Sequence, residues 1–262
     1  VTASLLDKRE TRIRRMFGDI APWYDRLNHL LSLNVDHAWR RRATRLVPPE
    51  GADPILDLCT GTGDLALAYD RAAGGRVPIV GADFCHPMLV RATAKAARRG
   101  AQDRVRFVEA DAQRLPCADD QFQITTVAFG LRNVTDPDRG LAEMVRVTKP
   151  GGRVAVLEFS RPRHWLFGRL YRFYFRRVLP LAGQTLSRSR DSAYRYLPAS
   201  VLEFPDGEAL AERMRAAGLG GVVYHPLTFG IATLYVGRKP AGPVGPMIAG
   251  PIKPSAAVRS IG

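Results

Sequence analysis

Cysteine is scarce in this chain: Cys59, Cys85 and Cys117 are the only three among 262 residues. They are too widely spaced for a paired thiolate motif, and their odd number gives no disulfide framework. His37, His86, His164 and His225 lack mutual ligand spacing, so no metal is expected. Long apolar runs are also missing. A spanning helix needs roughly 18–20 mostly apolar, uncharged residues, and no stretch of this sequence supplies them. Near the N-terminus, Asp7-Lys8-Arg9-Glu10 is a run of mixed charge with no apolar signal core around it. These absences set aside a membrane span, a disulfide-stapled secreted domain and a zinc module. They give a cytoplasmic expectation.

Acidic residues are outnumbered, 25 against 39 Lys and Arg, for a net charge of +14. An arginine-rich proteome or plain solubility would account for that, as would nucleic acid or an anionic membrane surface. The distribution is more informative than the total. Between Arg161 and Arg195 stand nine arginines and one acid, Asp191, interleaved with Trp165, Leu166, Phe167, Leu170, Tyr171, Phe173, Tyr174 and Phe175. Such a segment suits peripheral contact with an anionic membrane surface. An ordinary amphipathic helix packed on the core is the competing reading. No appended RNA-binding module is recognisable, and no nucleic-acid partner is expected.

Residues 1–50 read as a helical cap, with Ile13, Met16, Phe17 and Ile20 at helical spacing and breaks at Pro22 and Pro48-Pro49. Strands and helices then alternate. Strands are predicted at Ile55–Leu58, Pro78–Ala82, Val105–Val108, Ile124–Phe129 and Val154–Phe159, and helices at Asp64–Ala73, Pro87–Arg99 and Leu141–Val147. Lys149-Pro150-Gly151-Gly152 reads as a turn before the fifth strand. The alternation predicts a parallel sheet covered on both faces. After a helix at Gly207–Ala217, Gly221–Tyr224 and Ile231–Val236 lie too close together for a parallel return, so they are expected to form an antiparallel hairpin. Residues 51–239 are taken as the main domain, with an insertion around 161–200. The Pro/Gly/Ala-rich residues 240–262 read as a disordered tail.

Asp57-Leu58-Cys59-Thr60-Gly61-Thr62-Gly63-Asp64 closes the first strand. Glycines there let a ligand approach the backbone, and the next helix aims its amide groups at that ligand. Asp83, at the end of the second strand, can accept hydrogen bonds from a ribose diol. These two features suit a dinucleotide as well as S-adenosylmethionine. Glu109-Ala110-Asp111-Ala112 after the third strand shifts the balance to S-adenosylmethionine, because it resembles the adenine loop of methyltransferases using that cofactor.

Three further stretches narrow the class. They are Tyr24-Asp25-Arg26-Leu27-Asn28-His29-Leu30-Leu31-Ser32 with Asp36 and Trp39-Arg40, then Phe129-Gly130-Leu131-Arg132-Asn133-Val134, and Arg146–Ser160 around Lys149-Pro150-Gly151-Gly152. Together they resemble the signatures of the ubiquinone/menaquinone biosynthesis C-methyltransferase family. The resemblance implies an α/β, Rossmann-like class I methyltransferase fold, with a seven-stranded, mostly parallel sheet ending in an antiparallel hairpin. It implies S-adenosyl-L-methionine held by Gly61, Thr62, Gly63 and Asp83, with Asp111 and Ala112 at the adenine. A small polar residue common in the fourth strand is replaced here by Ala128, where only the backbone can serve. Near the transferred methyl the resemblance points to Tyr24, Asp64, Arg132 and Asn133. Asp64 would act as the base through a water, oriented by Arg132 and Tyr24. The implied partner is a polyprenylated quinol at the inner face of the cytoplasmic membrane, with a homodimer also admitted. Rival readings are a methyltransferase for another small aromatic substrate or RNA, and a non-catalytic adenosylmethionine-binding protein.

Overall fold

The computed structural model describes residues 10–21, 24, 25, 32, 34–162, 196 and 199–242. The arginine- and aromatic-rich stretch from 163 to 195 and the tail beyond 242 lie outside the described residues. The apolar runs become one seven-stranded sheet: β1 (Ile55–Leu58), β2 (Ile79–Asp83), β3 (Val105–Glu109), β4 (Phe122–Ala128), β5 (Thr148–Phe159), β6 (Gly220–Leu227) and β7 (Ala232–Arg238). Their order across the sheet is β3-β2-β1-β4-β5-β7-β6. The first five are parallel to one another, while β7 runs antiparallel to both β5 and β6. This is the fold class that the sequence predicted.

Helices cover both faces: α1 (Glu10–Ile20), α2 (Val35–Leu46), α3 (Asp64–Ala72), α4 (His86–Arg98), α5 (Pro137–Val147) and α6 (Glu208–Ala216). Every residue of β1 is buried, as a strand covered on both sides requires. Ile55 joins the apolar layer of Trp39, Leu65 and Tyr69, whereas Leu56 joins the layer of Leu141, Met144 and Met214. Successive strand residues thus supply opposite layers. The start of α5 is fixed locally. Asp136 accepts from the amides of Asp138 and Arg139 at 3.1 Å, and Pro137 stands where a missing N–H costs nothing.

β5 departs from the sequence reading. It starts at Thr148 instead of Val154, and the expected turn is a bulge inside it. Phe122 pairs with Thr148, but Ile124 pairs with Arg153, so Lys149–Gly152 loops out of register. The amide of Gly151 donates to Lys239 O at 2.8 Å and the amide of Lys239 to Gly152 O at 2.9 Å. The end of β7 therefore satisfies backbone groups that an isolated turn would leave to water.

The ends of β1 and β4 touch. A Cβ on Gly130 would stand 2.3 Å from Cys59 Cβ, and Cys59 itself has φ +50°. Gly130→Ala should therefore destabilise the protein by about 1–3 kcal/mol, the usual penalty for overpacking. Adding Cys59→Gly, which removes the colliding Cβ at a position glycine prefers, should restore most of the loss in a urea-unfolding midpoint.

Candidate active site

In a parallel sheet the carboxyl ends of all strands fall along one edge, and the loops leaving them enclose the ligand cleft. Here the loops after β1, β2, β3 and β4 line an open cleft. Tyr24, Gly61, Asp83, Asp111, Ala112, Ala128 and Asn133 contribute to its wall. Thr62, Gly63, Asp64 and Arg132 do not line it and sit behind that wall.

The glycine turn explains part of this division. Gly61 has φ +56° and Gly63 has φ +82°. A Cβ on Gly63 would also stand 2.8 Å from the Phe107 ring, so the turn can close only with glycine there. Asp83 ends β2 almost fully buried. Its Oδ2 accepts from the amide of Gly61 at 2.8 Å and its Oδ1 from the amide of Cys85 at 2.8 Å. Each oxygen retains acceptor capacity for a ribose hydroxyl. Burial raises the Asp83 carboxyl to about 6, against the lowering effect of these amides. Asp111 turns its Oδ1 to the Gln113 amide at 2.9 Å, so it also shapes its own loop. A buried carboxylate, a glycine-lined approach and a second acid just past the end of the adjacent strand fit a ribose- and adenine-bearing cofactor.

At the other end of the cleft, Phe129 takes a left-handed backbone, φ +58°. Its carbonyl oxygen accepts from Arg132 Nη1 and, at 3.4 Å, from Asn133 Nδ2. Arg132 Nη1 also donates to Glu158 Oε1 at 2.7 Å inside the protein. Asp64 instead receives Lys95 Nζ at 2.9 Å. The expected contact between Asp64 and Arg132 is thus replaced by two separate ion pairs, because the end of β5 brings Glu158 to the guanidinium first. Arg132 Nε and Asn133 Oδ1 are buried with no hydrogen-bond partner.

Sequence reasoning assigned no role to Asp57, Lys95 or Glu158. Each carried a signal: Asp57 and Glu158 stand within apolar strand runs, and Lys95 lies on the apolar stripe of α4. Cys59 lines the cleft, but burial pushes its thiol well above the ordinary range. That shift disfavours the thiolate that a nucleophilic cysteine needs. Among the described residues no cluster of His, Cys, Asp or Glu could hold a metal ion, and no helix is long and apolar enough to cross a membrane.

The sequence model described as the ubiE/COQ5 methyltransferase family matches residues 5–239. A demethylmenaquinone methyltransferase of Thermus thermophilus is 52% identical over 225 residues, 86% of this chain and 100% of that protein. The ubiquinone/menaquinone biosynthesis C-methyltransferase UbiE of Geobacter sulfurreducens is 46% identical over 239 residues, 91% of this chain and 93% of that protein. Among solved structures, a SAM-dependent methyltransferase from Thermotoga maritima is similar in fold, with a TM-score of 0.62 at 21% identity over 87% of this chain and 99% of that chain.

Asp83 should control cofactor affinity. Asp83→Ala removes charge-assisted hydrogen bonds to a ribose diol, so calorimetry should show binding weakened about 10- to 100-fold. The carboxyl is held near 6 in the free protein, and the ionised form is the better acceptor. Affinity should therefore be flat above neutral pH and fall by up to about tenfold per unit as pH drops below 6. In Asp83→Asn that slope should vanish.

Proposed function

The chain belongs to the ubiE/COQ5 methyltransferase family, and from that membership we propose that it methylates a ring carbon of demethylmenaquinol to give menaquinol. It is an S-adenosylmethionine-dependent methyltransferase. The observation that carries the reading is the cleft itself. Asp83 and Asp111 stand in its wall together with Tyr24 and Asn133, so a cofactor-binding end and a polar end share one space. The 2-polyprenyl-6-methoxy-1,4-benzoquinol of ubiquinone synthesis has the same reacting ring edge, and the Geobacter relative is named for both pathways.

When bound, S-adenosylmethionine supplies a methyl group on a sulfonium, which leaves as a neutral thioether. The chain's residues have to make the ring carbon nucleophilic and hold it in line. A quinol hydroxyl that loses its proton pushes electron density onto the ring. The ring carbon, once methylated, then releases its own hydrogen as a proton. Asn133 Oδ1, buried without a partner, is suited to accept from the quinol hydroxyl. Arg132 lies behind the wall, where it holds the Phe129 carbonyl beside Asn133, so its role is to position the wall rather than to touch the ring. Tyr24 lines the cleft with its ring over the glycine turn. Asp64 lies behind the wall, so a water would have to carry a proton to it.

The polyprenyl tail makes such a substrate a membrane resident. The sequence from Arg161 to Arg195 supports peripheral contact at the inner face of the cytoplasmic membrane, because arginines near an anionic surface contribute about 1 kcal/mol each.

Purified protein with S-adenosylmethionine and demethylmenaquinol should yield menaquinol by mass spectrometry. A strain lacking the gene should accumulate a quinone short of one ring methyl, and a fully methylated quinone pool in that strain would refute the assignment. In the purified assay Asp64→Asn should lose turnover on the order of 100-fold while binding cofactor. Unimpaired turnover would leave Asp64 as only the first-turn carboxylate of α3. Co-sedimentation with anionic vesicles should be lost at high salt and in Arg169→Glu/Arg172→Glu/Arg176→Glu. Retention of that triple variant would remove the membrane role of the segment.

A further inference from the structure

Lys95 occupies a position where helical periodicity calls for an apolar residue. It shares the buried stripe of α4 with Met88, Leu89, Ala92 and Ala96, and only 10% of its side chain is exposed. A buried ammonium is costly unless all its donors are used. Lys95 Nζ reaches three oxygens: Asp25 Oδ2 at 2.6 Å, Asp64 Oδ1 at 2.9 Å and Thr62 Oγ1 at 3.0 Å. The lysine's three N–H bonds are thereby matched one to one. Thr62 Oγ1 in turn donates to Asp25 Oδ1 at 2.5 Å.

These partners come from two separate stretches of chain, and both adjoin the cleft. Thr62 and Asp64 belong to the turn whose Gly61 lines it, and Asp25 follows Tyr24, which lines it too. Tyr24 Cε1 lies 3.8 Å from the position a Cβ on Gly61 would take, so the ring rests over the glycine turn. The ring also meets Phe17 edge-on, with centroids 6.1 Å apart, and its neighbour Asp25 is tied down by charge. Asp25 and Asp64 both direct a carboxylate oxygen to within 3 Å of one nitrogen. Without the positive charge, the part-exposed carboxylate of Asp25 would face the largely buried one of Asp64 and be repelled by it. Asp25 would move away, and Tyr24 with it.

We propose that Lys95 is a positioning residue for cofactor capture, whose ammonium joins Asp25 to Thr62 and Asp64 and so holds Tyr24 against the glycine turn. The cofactor site and the Tyr24–Asp25 segment then form as one unit. The methyl acceptor plays no part in this, so the inference goes beyond the proposed function.

Calorimetric titration of the full chain with S-adenosylhomocysteine reads the inference without any quinol. Lys95→Met, similar in length but uncharged, should weaken binding about tenfold or more, and Lys95→Arg should recover part of that loss by keeping the charge. Asp25 is 32% exposed, so Asp25→Asn is the milder variant. It leaves the Lys95–Asp64 pair in place and should weaken binding several-fold. The double variant Lys95→Met/Asp25→Asn should bind no worse than Lys95→Met alone, since the two residues act through one contact. A lysine that only supports the fold would lower the melting temperature and leave the affinity of the folded protein unchanged. Dissociation constants within about twofold of the parent for Asp25→Asn and for folded Lys95→Met overturn the inference. Should Lys95→Met fail to fold, Asp25→Asn decides alone by the same criterion.

Discussion

Everything at the working edge of this protein depends on how the chain leaves β1 and enters α3. Between Cys59 and Gly63 an extended strand must become a helix, and three residues of the turn, Cys59, Gly61 and Gly63, take left-handed backbone angles. Gly63 has no side chain with which to cap α3. Asp57, two residues earlier than the turn, does so instead. Its Oδ2 accepts from Thr60 Oγ1 at 2.6 Å and from the amide of Ala66 at 3.0 Å. One buried carboxylate thus closes the turn and satisfies an orphan amide of the helix start. Burial raises that carboxyl to about 7, because two hydrogen bonds do not replace the water it has lost. The Thr60 amide then binds Ala82 O at 3.0 Å and the Gly61 amide binds Asp83, so the ends of β1 and β2 are fixed together.

Two buried ion pairs stand behind the cleft. Lys95 with Asp64 and Asp25 lies beneath the glycine turn, and Arg132 with Glu158 lies beneath Phe129 and Asn133. Burying charge is expensive, and such pairs are weak stabilisers compared with apolar packing. Their value is geometric. Arg132 grips the carbonyl of Phe129, whose left-handed backbone costs roughly 1–3 kcal/mol without support. Its guanidinium also lies 5.3 Å from the centre of the Phe159 ring. The wall of the cleft is held by side chains that do not line it. This accounts for the separation of the candidate residues into those that face the cofactor and those that hold others in place.

Much of this was legible in the sequence. Short apolar runs and period-3.6 burial are local properties, so most strands and helices could be placed to within a few residues. The glycine turn and Asp83 could be read as a cofactor site because the turn geometry needs only neighbouring residues. β5 resisted, since Lys149–Gly152 looks like a turn in isolation. It joins the strand only because β7, more than eighty residues later, supplies its hydrogen bonds.

The sequence by itself determined the elements, their mostly parallel order and the cofactor loop, because each is set by the backbone preferences and apolar spacing of a short stretch. Only the tertiary structure decided which charge meets which. Asp64 and Arg132 both belong to the site by motif, yet each finds another partner. Arg132 lies against Glu158 because β4 and β5 are adjacent strands whose ends bring the two together. Asp64 lies against Lys95 because α4 packs its stripe toward the start of α3. An ionic side chain can pair with any opposite charge within reach, so its partner is fixed by the packing of strands and helices, which the local sequence does not encode.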